Sequence, residues 1–293
     1  MTTRCGGPPE PLDKATFNAL YTTPLAPPDK GLNTYHLGHS LVGHTIPVML
    51  QQLAGEDHRF SSQLGSGTNL RAHWEPDIAI KHFEETNRHP QYRDPHEALA
   101  SGTYDALIVT ETVEIRDSIK YHDSQGYLRK WASTTWSNNP ETRVYLYETW
   151  HKLDDEEGWL ARLDRDLDRY WEGEILRRTL AHDDINQTIY VIPGGQVMAA
   201  FARKIDAAGG IGTLSSHKDL FSDHIHFNDF GAYLMALTHY AVLYGRSPVG
   251  LPYALLQPDG SPAENPGPVL ARAMQETVWD VVTNYSPSGV SGD

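Results

Sequence analysis

The chain of 293 residues is poor in cysteine, and Cys5 is the only one. A single cysteine excludes an internal disulfide and a cysteine-based metal site. Positive charge is also scarce, with 24 Lys and Arg against 38 Asp and Glu and a formal net charge of −14. This balance argues against non-specific binding to nucleic acid or to an anionic membrane surface. No apolar run is long enough to span a bilayer.

Signatures of metal and cofactor binding are missing as well. The 15 histidines form no HExxH motif, and paired CxxC motifs are absent. Gly65, Gly67 and the pair at 194–195 form neither a phosphate loop nor a dinucleotide fingerprint. The weak alternative is a metal site formed by four histidines that could gather near Ser40: His36, His39, His44 and His73. The sequence therefore predicts neither a metal nor a cofactor.

The first 30 residues lack the apolar stretch of a secretory signal peptide. Taken as it stands, the chain is predicted to be cytoplasmic. A second interpretation starts from Cys5, which precedes two glycines and a proline-rich stretch. That order looks like the mature start of an exported bacterial lipoprotein, periplasmic or membrane-anchored, whose leader has been removed. In either case the six prolines of residues 1–30 predict a tail or an extended wrap.

Apolar segments alternate with segments of helical spacing along the rest of the chain. Strands are predicted at 32–37, 59–64, 104–110, 143–148 and 188–192. Helices are predicted at 42–54, in part of 115–138, and at 155–181, 196–207 and 268–283, and another runs through Ala232 and Tyr240 after His226. This alternation predicts one α/β domain at 31–285 with a parallel sheet, followed by a frayed tail at 286–293.

The sequence Gly38-His39-Ser40-Leu41 joins the first predicted strand to the first helix. A serine there lies at the carboxyl end of a strand, the edge where open α/β sheets bind ligands. The N–H groups that begin the following helix favour negative charge. Ser40 is therefore a candidate nucleophile, provided that the chain supplies a base and an acid that orients the base.

Asp223 and His226 are the candidates for these two roles. They stand three residues apart before a late helix, so one turn can bring the carboxylate onto a ring nitrogen of the histidine. The other nitrogen is then free to take a proton from a serine hydroxyl. In the alternative interpretation, Asp223 merely caps the following helix.

These blocks, with a glycine loop after the second strand, resemble the SGNH (GDSL-like) hydrolase family over about residues 32–245. The resemblance implies a flavodoxin-like three-layer α/β/α sandwich with a parallel sheet of about five strands. It implies Ser40 as nucleophile, His226 as general base and Asp223 as the residue that orients His226. It also implies that the backbone N–H groups of Ser40 and Gly67 hold the oxyanion, with Gly65 as second choice after Gly67.

The chain departs from the family pattern at two positions. His39 stands where the family has Asp before the serine. At the end of the third strand the family has Gly-x-Asn-Asp, and this chain has Glu111 and Thr112 with no Asn. An ionised carboxylate cannot donate a hydrogen bond, so Thr112 is the predicted third donor to the oxyanion. The residues expected in the pocket are Glu111, Thr112, Trp150 and His39.

The predicted function is that of a serine esterase acting on small acyl esters, with acetyl on a carbohydrate as the expected substrate. The expected substrate rests on the substrates common in the family that the chain resembles and on an aromatic content of 10%. An O-acyltransferase with the same triad and a non-catalytic glycan-binding protein are the alternatives. A carboxylate pair for glycoside hydrolysis, drawn from Glu111, Glu114 and Glu148, ranks below them.

Overall fold

A five-stranded parallel sheet forms the centre of the computed structural model, which describes residues 7–292. The strands are β1 (Asn33–His39), β2 (Arg59–Gly65), β3 (Ala106–Val109), β4 (Arg143–Glu148) and β5 (Ile189–Pro193). Their order in the sheet is β2-β1-β3-β4-β5, and every neighbouring pair is parallel. This is a flavodoxin-like order, so the predicted fold class is confirmed.

The helices fill both faces of the sheet. They are α1 (Lys14–Ala19), α2 (Thr45–Ala54), α3 (Leu70–Trp74), α4 (Phe83–Asn87), α5 (Pro95–Ala100), α6 (Ile115–His122), α7 (Ser124–Asn138), α8 (Trp159–Asp166), α9 (Arg177–Thr179), α10 (Gly194–Ala208), α11 (Asp229–Tyr244) and α12 (Gly267–Thr283). A π-helical stretch at Leu167–Leu176 joins α8 to α9, and short 3₁₀ turns lie at His217–Leu220 and Ser286–Ser288.

Strand β3 shows how the sheet separates two apolar cores. Successive side chains of a strand point to opposite faces. Ala106 and Ile108 therefore enter the core formed with α2, α10, α11 and α12, and Leu107 and Val109 enter the core formed with α7 and the π-helical stretch. All four side chains are buried, as expected for a parallel strand covered by helices on both faces.

Both ends of the described chain are more ordered than the sequence predicted. Residues 1–6, which include Cys5, lie outside the described part, but the rest of the proline-rich segment contains α1. Phe17 of this helix is buried, and the Tyr21 hydroxyl donates to the Ile189 carbonyl at 2.7 Å. The segment after α12 does not fray, because Ser288 is buried and its hydroxyl donates to the Val282 carbonyl at 2.8 Å.

The predicted helix at 155–181 is also corrected. It begins at Trp159 and changes to π-helical hydrogen bonding at Leu167 before it ends. Within residues 7–292, no helix is both long and apolar enough to cross a membrane.

Candidate active site

Ser40 is the first residue after β1 and is exposed to solvent. The chain turns sharply there, since the backbone N–H groups of Val42 and Gly43 both donate to the His39 carbonyl, at 2.9 and 3.1 Å. Gly38 lets Thr110 and Val42 pack closely against the end of β1, because a Cβ at that position would lie 2.8 Å from their side-chain carbons. The Ser40 hydroxyl is thus presented at the carboxyl edge of the sheet.

Asp223 and His226 lie in a small closed loop that approaches Ser40 from the side of α11. Phe221 and Phe227 pair across the neck of this loop, and the His226 carbonyl accepts from the Ser222 N–H at 2.8 Å. Asp223 Oδ1 accepts the N–H groups of Ile225 and His226, at 2.8 and 2.7 Å. These bonds fix the carboxylate within its own loop.

The three candidate side chains form a continuous hydrogen-bonded chain. Asp223 Oδ2 lies 2.7 Å from His226 Nδ1, and His226 Nε2 lies 3.0 Å from Ser40 Oγ. The carboxylate accepts from the Nδ1–H, which leaves Nε2 free to accept from the serine hydroxyl. Asp223 does not cap the following helix, because the side chain of Asn228 accepts the Phe230 N–H and takes that role.

The electrostatics favour an ionised Asp223. Partial burial opposes ionisation, but the hydrogen bonds from the His226 backbone and ring and from the Ile225 N–H outweigh it and hold the pKa of Asp223 well below its usual range. The side chains of His226 and Asp223 are 44% and 45% exposed, so both are open to solvent. A histidine beside a fixed carboxylate can take and return the proton of Ser40.

The register of the sheet brings Ser40 and the loop that contains Gly67 to the same edge. His39 pairs with Gly65, so that Ser40 and Ser66 leave neighbouring strands together and Gly67 follows. Gly67 is exposed, has φ +56°, and has no atom within 4 Å of the position that a Cβ would take. A Cβ on Gly65 would instead lie 2.2 Å from Ile80 and Thr68. Of the two glycines, Gly67 is therefore the one open to a ligand.

Thr112 is not placed as the predicted third donor, because its N–H and its hydroxyl are both hydrogen-bonded inside the protein. Its N–H donates to its neighbour, Glu111 Oε2, at 3.2 Å, and its hydroxyl bonds to the Ser118 hydroxyl. The Glu111 carboxyl is fully buried and lines no open pocket. Burial raises the pKa of Glu111 to about 7, although the Ser124 hydroxyl and the N–H groups of Thr112 and Leu70 favour ionisation.

His39 and Trp150 were also expected in the pocket, and both are buried instead. His39 Nε2 lies 2.7 Å from the Glu111 carbonyl oxygen, and Leu41 N–H donates to His39 Nδ1 at 3.3 Å. The ring is therefore the neutral Nε2–H tautomer, and burial lowers the pKa of His39 to about 4. Trp150 lies beneath the loop that carries His226, with its Nε1–H donating to the Ile225 carbonyl.

The carboxylate pair considered for glycoside hydrolysis is not present. Glu111 and Glu148 are both fully buried, and burial raises the pKa of Glu148 to about 8. Glu114 is bound by the guanidinium groups of Arg116 and Arg162, at 2.9 Å in each case. None of the three carboxyl groups is free to face a sugar.

The four histidines suggested for a metal site do not gather. His36 packs against His239 in the interior, and the ring of His44 contacts that of His89. His73 Nε2 bonds to the Gly38 carbonyl at 3.0 Å. Within the part of the chain that the structure describes, no group of three or more His, Cys, Asp or Glu side chains is placed to hold a metal ion.

Sequence analysis missed a second serine–histidine pair at the end of β2. Ser66 Oγ lies 2.8 Å from His82 Nδ1, and both residues are at least partly exposed. The two residues are sixteen positions apart, and no motif connects them. Among the described contacts, His82 has no carboxylate partner, so the pair lacks the group that would orient a base. It provides a natural control for the pair at Ser40.

Two solved lipase structures are similar to this chain. A GDSL-like lipase from Parabacteroides merdae is similar to this chain with a TM-score of 0.44 and 15% identity, over 74% of this chain and 96% of that one. The lipase Lip_vut3 from a goat rumen metagenome has a TM-score of 0.35 and 17% identity, over 73% and 99%. No family model matches the chain, and no curated protein matches its sequence.

Proposed function

We propose that the protein is a serine esterase of the SGNH type that hydrolyses esters of small acyl groups. The observation that carries the proposal is the hydrogen-bonded chain from Asp223 through His226 to the exposed Ser40 hydroxyl. The three groups come from two separate segments of the chain and meet at the carboxyl edge of the sheet. A polar loop without catalytic purpose has no need of an ordered base in contact with an exposed serine.

In the proposed reaction, Ser40 Oγ attacks the ester carbonyl carbon while its proton passes to His226 Nε2. The tetrahedral intermediate collapses, the bond to the alcohol oxygen breaks, and His226 returns the proton to the leaving alcohol. A water molecule then gives its proton to His226 and attacks the acyl-enzyme. Release of the carboxylic acid restores the Ser40 hydroxyl. Asp223 keeps its charge throughout and stabilises the protonated ring.

The oxyanion of the intermediate is proposed to rest on the backbone N–H groups of Ser40 and Gly67. The sequence has no Asn at the end of β3, and Thr112 is engaged elsewhere. Loss of one donor from such a site typically lowers the rate by about 10²–10³. We therefore expect slower turnover than that of an esterase with three donors.

The exposure of the candidate triad supports an ester carried on a bulky alcohol. Because Ser40 is exposed and His226 and Asp223 are half-exposed, an ester on a large carrier can reach the nucleophile. A separate cleft of about 380 Å³, which Ser40 and His226 do not line, lies beside the end of β2, and its walls include Trp74, Phe83 and Tyr92. Aromatic rings beside polar groups suit the faces and hydroxyls of sugars. Acetyl on a carbohydrate is the substrate that we propose.

An O-acyltransferase would use the same residues, and the openness of His226 is the observation that favours it as second candidate. A sugar hydroxyl can approach the acyl-enzyme as readily as water can. Product analysis with p-nitrophenyl acetate and an oligosaccharide acceptor distinguishes the two, since transfer yields an acetylated sugar and hydrolysis yields acetate.

The test of the esterase is the variant Ser40→Ala, assayed with p-nitrophenyl acetate and with a fluorophosphonate probe. We expect both turnover and labelling to be lost while the thermal unfolding midpoint stays close to that of the parent. Ser66→Ala is the matched control, because it removes the hydroxyl of the other serine–histidine pair, and it should keep both signals. Undiminished turnover in Ser40→Ala would refute the assignment. Absence of labelling in the parent, together with measurable glycan affinity, would favour a non-catalytic binding protein.

A further inference from the structure

The loop that carries Asp223 and His226 has its support on one side only. Both side chains are nearly half exposed, so solvent lies above them. Ile225, between them in the sequence, is buried and points into the apolar core below. The geometry of the base must therefore be set by what lies beneath the loop.

Trp150 occupies that position. It follows β4, is fully buried, and its ring packs against Phe221 and Phe227, the two residues that close the neck of the loop. Its Nε1–H reaches past the neck and donates to the Ile225 carbonyl at 2.8 Å. One side chain thus contacts both the neck and the tip of the loop.

A second bond from the same segment acts in parallel. The Leu153 N–H donates to the His224 carbonyl at 2.8 Å. Two successive carbonyl groups of the loop are thereby bound from the connection between β4 and α8. The orientation of the loop is therefore set by the segment that follows β4.

The Ile225 carbonyl has a direct relation to the base. It belongs to the same planar peptide group as the His226 N–H, and in a trans peptide the two point in opposite directions. When Trp150 holds the carbonyl downward, the N–H is directed toward Asp223 Oδ1, which it reaches at 2.7 Å. The other oxygen of that carboxylate then meets the His226 ring.

We infer that Trp150 is a positioning residue for His226, acting through the peptide group between Ile225 and His226. The inference rests on the proposed esterase function and names a residue outside the serine–histidine–aspartate set. Trp150 touches no substrate, because it is fully buried. Its contribution is to restrict the rotation of one peptide plane and so the direction of the Asp223 carboxylate.

The variant Trp150→Phe removes the N–H and keeps an aromatic ring against the two phenylalanines. We expect kcat for p-nitrophenyl acetate to fall roughly 10- to 100-fold with KM nearly unchanged, since small misplacements of catalytic groups have effects of that size. The rate of fluorophosphonate labelling should fall by the same factor. Trp136→Phe is the matched control. The Nε1–H of this buried tryptophan donates to the Thr142 carbonyl at 2.9 Å, just before β4 begins and so at the opposite edge of the sheet.

A spectroscopic measurement separates this inference from the esterase proposal. The His226 Nδ1–H in contact with Asp223 should give a downfield proton resonance, assigned by its loss in His226→Gln. We expect the resonance to shift or broaden in Trp150→Phe and to stay unchanged in Trp136→Phe. A parent that shows the resonance without turnover would refute the esterase proposal and leave the positioning role testable.

The inference is overturned if Trp150→Phe keeps both the resonance and the labelling rate of the parent. Should that variant fail to fold, benzothienylalanine at position 150 keeps the bicyclic shape and lacks the N–H donor. A folded protein with that residue and an unaltered labelling rate would equally reject the role of Trp150.

Discussion

His39 donates its Nε2–H to the backbone carbonyl of Glu111 at 2.7 Å and so binds the end of β1 to the end of β3. The same ring accepts the Leu41 N–H on Nδ1. An ionised aspartate, the family residue at this position, can accept but cannot donate. The imidazole therefore does two things at once, holding the turn that follows Ser40 and fixing the peptide group after Glu111.

Replacing His39 by Asp should separate these two functions. The carboxylate can still accept from Leu41, but the Glu111 carbonyl loses its donor inside the protein. We expect the free energy of unfolding, measured in urea, to fall by about 1–3 kcal/mol. Fluorophosphonate labelling of Ser40 should also become slower. His39→Gln carries both a donor and an acceptor and should recover part of each loss. If His39→Asp matches the parent in both measurements, the bond to the Glu111 carbonyl contributes neither to stability nor to the reactivity of Ser40.

Gly67→Ala tests the proposed oxyanion donor without deleting an N–H group. Its φ of +56° is costly for alanine by roughly 1–2 kcal/mol, so the backbone should rotate and carry the N–H away from the site. We expect kcat for p-nitrophenyl acetate to drop by about 10²–10³, the effect of losing one donor. Gly209→Ala is the control, since Gly209 also has a positive φ, +67°, and open space around it, at the end of α10. Equal losses of activity in the two variants would mean that strain alone is measured.

The fold could be predicted from the sequence because its signal is local. A run such as 106–109 is apolar at every position, which only a strand covered on both faces requires, and turns and helical segments follow each strand. The arrangement of the candidate site could be predicted for the same reason. Asp223 and His226 interact across one turn, and Ser40 lies at a strand end, so sequence spacing contains most of their geometry.

Other features depend on the direction of single groups, which sequence spacing does not encode. The predicted third donor, Thr112, failed because its N–H turns to the Glu111 carboxyl. Trp150 was correctly placed near the strand end, but its side chain points beneath the loop and not into a pocket. Helix α1 was missed because its apolar residues are few, and it is held by contacts such as that of Tyr21 with β5, more than 160 residues away. These outcomes are decided by packing between distant segments.

Glu111 should make the protein less stable as pH rises. Its pKa is about 7 in the folded state against 4.5 for an ordinary glutamate carboxyl in water, so the folded state binds the additional proton. The stabilisation is complete below pH 4.5 and is lost as pH rises through 7, amounting to about 3 kcal/mol. Glu111→Gln imitates the protonated form, and its amide can donate to the Ser124 hydroxyl. We expect its stability relative to the parent to increase between pH 5 and pH 8 in urea titrations.

Glu114→Gln provides the opposite trend. Burial opposes ionisation of Glu114, but Arg116 and Arg162 outweigh it and lower its pKa to about 2. Its stabilisation is present above pH 4.5 and declines as pH falls toward 2. Glu114→Gln should therefore be less stable than the parent at pH 7 and approach the stability of the parent in acid.

For the Glu111 prediction, parallel pH profiles of stability for Glu111→Gln and the parent would show that Glu111 ionises in the folded protein as it does in water.

Three buried histidines should limit stability on the acid side. Burial lowers the pKa of His58 and His239 to about 4, and that of His36 well below its usual range. Each ring has one nitrogen without a hydrogen-bond partner among the described residues, so an added proton would find no acceptor. The unfolded chain binds these protons near pH 6.5, and the folded chain does not. The contribution of these histidines to stability is therefore complete above pH 6.5 and falls between pH 6.5 and pH 4.

His239→Gln should reduce this acid sensitivity. His239 Nδ1 bonds to the Met235 carbonyl at 2.8 Å, a bond that the Gln amide can also make. Each histidine that stays neutral adds up to about 1.4 kcal/mol per pH unit to the slope of stability against pH, so removal of one should make the slope shallower by up to that amount. Urea titrations at half-unit steps from pH 4.5 to 7 measure it. An unchanged slope in His239→Gln would mean that the protein admits a proton, or water, at this buried ring.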